Sequence, residues 1–81
     1  MSSSQGGHSA QVNMRLLVNG ESIPVAQMGP DFLILERACD HPPGQGIMVL
    51  QVDQSERRWT VRLPDGISSR SKRVVIGPGL A

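Results

Sequence analysis

The dipeptide Asn19-Gly20 stands between two short stretches that alternate apolar and polar residues. Before it, Val12, Met14, Leu16 and Val18 alternate with Asn13, Arg15 and Leu17. After it, Ile23 and Val25 continue one face, and Ser22, Pro24 and Ala26 hold the other. Asparagine and glycine both tolerate the positive φ of a type I′ turn, whose twist matches that of paired strands. A period of two puts alternate side chains on opposite sheet faces. The segment therefore predicts a β-hairpin with one buried face. Pro24 has no N–H to give a ladder, so the second strand is expected to be a sheet edge at that point.

Further along, Gly29-Pro30-Asp31 predicts a turn and "FLILER" a third strand. "ACDHPPGQG" (38–46) reads as a loop, because its prolines and glycines break regular structure. "IMVLQVD" reads as a fourth strand and "QSE" as a turn or bulge. The unbroken apolar run of strand three predicts burial on both faces or a place near a barrel seam, and strand four has the same two-faced pattern. In "RRWTVRLPDG" (57–66), Trp59, Val61 and Leu63 alternate with Arg58, Thr60 and Arg62. That spacing places the first set in the core. Pro64-Asp65-Gly66 turns the chain, since proline pre-sets one turn dihedral and glycine accepts a left-handed one. "ISSRSKRVVI" is then read as the returning strand.

No helix-length stretch has a 3.6-residue period. The chain is expected to be all-β: a small antiparallel six-stranded β-barrel, PilZ-like or SH3-like, with little or no helix. At 81 residues it has room for one domain. Aromatic residues are confined to Phe32 and Trp59, both read as core-facing, so Val, Ile, Leu and Met must fill the core. Residues 1–11 are expected to be a disordered tail, because Ser, Gly and Gln cannot pack. Residues 12–77 are expected to form the barrel and 78–81 a flexible end.

The order of hairpin, "VAQMGPDFLIL", Pro-Gly loop, "GIMVLQVD" and charged hairpin resembles a PilZ-type barrel over roughly residues 14–76. "PPGQGIMVL" is similar to that family's P-x-G loop and following strand. The resemblance implies a fold. The family's cyclic-diguanylate binding relies on an R-x-x-x-R motif before the first barrel strand, and no such motif precedes Val12. The D/N-x-S-x-x-G turn would fall on Ala26–Asp31, which lacks the acid or amide, the serine and the final glycine.

Charge is unevenly placed. Residues 1–56 carry Arg15 and Arg37 against six acids, whereas residues 57–81 carry six bases against Asp65 alone. Arg58, Arg62, Arg70, Lys72 and Arg73 are the candidate anion-binding residues, on the expectation that the returning strand brings the last three beside the first two. Arginine suits this task because its planar fork meets phosphate oxygens two at a time. The competing reading is the wet face of a strand with charges that protect its edge. "CDH" (39–41) offers potential ligands, but one short loop does not surround an ion. Cys39 reads as a small filler at a strand end, and Asp31, Asp53 and Asp65 as turn residues. No metal, cofactor or catalytic set is expected. A single cysteine and no apolar run of membrane length suit a soluble, cytoplasmic chain. The expected role is non-enzymatic: an adaptor domain contacting a protein partner, or alternatively a binder of a nucleotide or nucleic acid through the basic face.

Overall fold

The computed structural model describes residues 11–79, and no helix occurs among them. The strands are β1 (Val12–Val18), β2 (Glu21–Met28), β3 (Phe32–Leu35), β4 (Gly44–Val52), β5 (Ser55–Leu63), β6 (Arg73–Val75) and β7 (Gly77–Pro78). They form one antiparallel sheet of seven strands in the order β6-β3-β2-β1-β4-β5-β7. The sheet curls into a nearly closed barrel. Its two margins, β6 and β7, are successive pieces of one segment. The expected six strands become seven because Ile76 separates a piece paired with β3 from a piece paired with β5.

The first hairpin forms as its turn chemistry requires. Asn19 and Gly20 have φ of 51° and 79°, and Val18 pairs with Glu21. The second tight turn is Asp53-Gln54, so "QSE" is not the turn: Ser55 and Glu56 already belong to β5. Asp53 takes a φ of 53°. Its N–H donates to the Gln11 carbonyl (2.9 Å) and its Oδ1 accepts from the Gln11 N–H (3.1 Å). These bonds carry the β1–β4 ladder to the end of β4. At the other end of β4, Gly44–Gly46 are strand and not loop, paired with Leu63, Arg62 and Val61.

Pro24 sits in β2, which is interior to the sheet. In a strand, a residue's N–H and carbonyl point to the same side. The Pro24 carbonyl accepts from Glu36 N–H on the β3 side, so the missing donor also falls there. The β2–β3 ladder starts only at Val25–Leu35, so Pro24 lies at its end. The expected edge is thus local, and it is no place for strand addition along the whole of β2.

Leu16, Leu33, Leu35, Met48, Leu63 and Val74 are wholly buried, with Val18, Ile23, Val25, Val61, Ile67 and Ile76 packed beside them. The core is aliphatic, as composition demands. Neither aromatic residue joins it. Phe32 has the opposite parity to Leu33 and Leu35, and the Arg73 guanidinium lies over its ring at 4.9 Å. Trp59 shares a face with Val61 and Leu63 but lies beyond the stretch of β5 that β7 pairs with, and it is 36% exposed. The two-faced burial expected of β3 and β4 holds only partly. Phe32 and Ile34 are half-buried, and Ile47 on the outer face of β4 is 40% exposed.

Gly66 ends the Pro64-Asp65 turn at φ 66°, with its N–H on the Leu63 carbonyl (3.1 Å). The returning segment does not run back along β5. Ile67 exchanges two hydrogen bonds of 2.9 Å with His41, residues 68–72 make turns, and β6 pairs with β3.

Candidate functional site

This topology decides which basic residues meet. Arg58 and Arg62 project outward from β5, four residues and roughly 13 Å apart. Arg73 is on β6, beside Ile34 of β3, and is taken up by Phe32. Arg70 and Lys72 lie in the exposed turns between Ile67 and β6, where the Lys72 carbonyl accepts from Leu35 N–H. The hairpin expected to set Arg70, Lys72 and Arg73 beside Arg58 and Arg62 does not exist, because β5 pairs with β4 and β7. Arg58 Nε donates to Glu56 Oε2 (2.8 Å), its neighbour on the same face.

The outer wall instead assembles residues from four strands. Register puts Ser22, Leu17, Ile47 and Thr60 in one row across β2, β1, β4 and β5. Pro24, Arg15, Val49 and Arg58 form the next row. Val49 points outward yet is 7% exposed, flanked on both sides by arginines. Long arginine stems cover apolar surface while their heads stay wet. Arg15, which local charge assigns to the acidic half of the chain, is thus a partner of Arg58. Only the β1–β4 pairing discloses it.

A cleft of about 550 Å³ opens in this wall, floored by Leu17, Ile47 and Gly46 and rimmed by Ser22, Gln45 and Thr60. It exists because β1 and β4 part company: their register stops at Leu17–Ile47, and the hairpin tip at residues 18–21 leans away from Gln45 and Gly46. Arg15 is fixed against the rim residue Ser22, with Nε donating to Ser22 Oγ and Nη2 to the Ser22 carbonyl (3.4 Å).

The hairpin tip is held from its other side. His41, with a side chain only 8% exposed, lies between Asn19 Nδ2 (3.3 Å from Nδ1) and Glu21 Oε1 (3.1 Å from Nε2). The carboxylate that orients this imidazole is 20 residues away in sequence, so the "CDH" stretch gives no hint of it. Asp40 Oδ1 accepts from Ser69 N–H (2.9 Å), which ties the same loop to the turns before β6. Cys39 is half-buried against the core. Burial raises its thiol above the ordinary range, and the charges of Glu21 and Asp40 add to this. Such a thiol is a poor nucleophile. Among the described residues, no cluster of His, Cys, Asp and Glu has the arrangement of a metal site, and no helix is long and apolar enough to cross a membrane.

β5 leaves part of one side open. Val52–Ser55 closes a two-residue turn, so alternate residues of β5 bond to β4, and Glu56, Arg58, Thr60 and Arg62 face the other way. Arg62 spends its groups on Gly77, and Gly79 lies against Thr60. Glu56 and Arg58 have no strand partner on that side among the described residues. No protein-family model matches the chain, and no curated protein or solved structure matches it.

Proposed function

We propose that the chain is a non-enzymatic binding domain of PilZ-like type, working in the cytoplasm, that engages a protein partner by strand addition at the open side of β5. The observation that carries this reading is the main-chain edge at Glu56 and Arg58, which has no strand partner among the described residues, beside a Trp59 that is 36% exposed. A partner strand gains main-chain hydrogen bonds at such an edge, and alternate side-chain contacts supply selectivity. Tryptophan and arginine are the side chains that most often dominate binding energy at interfaces. The charges of Glu56, Arg57 and Arg58 protect this edge from indiscriminate pairing. A reducing compartment suits the free thiol of Cys39.

The test uses Arg58→Pro. It removes the N–H that faces the open side and leaves the β4 ladder whole. A photo-crosslinking residue at position 59 should capture a discrete partner in cells, and Arg58→Pro should abolish the product. Arg58→Lys should retain it. Crosslinking that survives Arg58→Pro in a folded protein rejects strand addition. A phosphate grip by the five basic residues has less support, because β6 lies on β3 and Arg73 on Phe32.

A further inference from the structure

The splay between the hairpin tip and β4 leaves backbone groups without a ladder. Leu17, Arg15 and Asn13 bond to Ile47, Val49 and Gln51, and Gln11 bonds to Asp53, so odd-numbered residues of β4 face β1. Gln45 is next in that series. Its would-be partner, Asn19, has turned away to His41. The Gln45 N–H therefore points into the cleft and has no main-chain partner among the described residues. Arg62 is directly across from Gln45 on β5. Arg15 is bonded to Ser22 on the opposite rim. The floor between them is Leu17, Gly46 and Ile47.

We propose that this cleft binds a small apolar molecule carrying one carboxylate. The floor takes the apolar body, while the Gln45 N–H and the Arg62 guanidinium take the carboxylate. A volume of about 550 Å³ lies in the range of small-molecule sites, which pair an apolar lining with a few convergent polar groups. The row from Ser22 to Thr60 spans three inter-strand steps, roughly 14 Å, which accommodates a compact ligand. Charge favours an anion: Arg15 is bonded to the lining residue Ser22, Arg62 is paired across from the lining residue Gln45, and the one acid in the lining, Glu21, has Oε1 engaged by His41. The inference goes beyond strand addition at β5 and does not depend on it, since the cleft is built from β1, β4 and the outward side of β5.

The probe is 3-phenylpropionate, with its uncharged amide as control, titrated into the full chain and followed by amide NMR. The acid should shift Leu17, Gln45, Gly46, Ile47 and Thr60, and the amide should bind more weakly by about tenfold, as expected for loss of a charge-assisted hydrogen bond. Arg62→Gln should erase that preference. Glu21→Gln should strengthen binding of the acid. Ile47→Glu places a carboxylate on the floor from an exposed position and should abolish binding; Thr60→Glu serves the same purpose if that variant does not fold. Absence of shifts at these residues, shifts confined to other faces, or equal affinity for acid and amide would overturn the proposal.

Discussion

Two glycines with similar backbone angles should respond very differently to alanine. Gly20 and Gly66 have φ of 79° and 66°. Either substitution forces an L side chain into the left-handed region, at about 1–2 kcal/mol. At Gly20 the cost stops there, because a Cβ would meet nothing within 4 Å. At Gly66 the Cβ would lie 2.3 Å from the His41 carbonyl oxygen and 2.8 Å from Pro42 C and Pro43 N. Rigid backbone must then move apart. The first casualty is the pair of 2.9 Å bonds between His41 and Ile67, worth about 1 kcal/mol each. Gly66→Ala is therefore expected to cost about 3–4 kcal/mol, against about 1–2 kcal/mol for Gly20→Ala. A chain of this size has about 4–12 kcal/mol in total, so the first change removes a large share. Urea unfolding followed by far-ultraviolet circular dichroism measures both. Equal losses would refute the reasoning, because they would mean that the 41–43 loop does not press on Gly66.

Three further outcomes are expected. Val61→Asp should unfold the domain by placing a charge at a 3% exposed core position, whereas Thr60→Asp, on the outer face, should leave thermal stability within about 1 kcal/mol; near-equal effects would mean that the β5 register is wrong. Cys39 should react with iodoacetamide more slowly than a free thiol near pH 8, with the rate still rising above the pH at which a free thiol levels off, since burial and the nearby acids Glu21 and Asp40 raise its pKa; a rate profile matching a free thiol would contradict this. Arg73→Ala should cost about 0.5–1 kcal/mol through loss of its contact over Phe32, with Arg73→Lys recovering part of it in thermal melts; no loss in the alanine variant would deny that contact any role in stability.

Much of the fold is legible locally. Asn19-Gly20 fixes a register that in turn fixes the inner face of β1 and β2, and the alternation around Val61 does the same for β5. What escapes a local reading is pairing between distant segments. Trp59 has the right parity for the core, but whether that face is covered at residue 59 depends on where β7 ends, and β7 reaches only Val61. Phe32 carries no sign of its parity in an unbroken apolar run, because "FLIL" reads alike from either side. The candidate site suffers most. Arg15 and Arg58 are 43 residues apart and meet only through Val49. Arg70 and Lys72 look like strand residues by spacing, yet they lie in turns because Ile67 is claimed by His41. The cleft owes its existence to a ladder that stops early, and pattern reading has no signal for an absent pairing.

The segment from Arg73 to Pro78 has a consequence for how the molecule is assembled. Residues 12–63 already supply the first five strands in the order β3-β2-β1-β4-β5, each next to its final neighbours. Six residues then stitch the two margins, with β6 on one and β7 on the other. Until they dock, the sheet is an open ribbon with bare main chain along β3 and β5, the sort of template on which other chains polymerise. The zipper tab follows the other five strands in chain order and closes over contacts distant in sequence, a kind that forms slowly. Synthesis conditions that lengthen the wait for residues 73–78 should therefore lower the yield of folded protein.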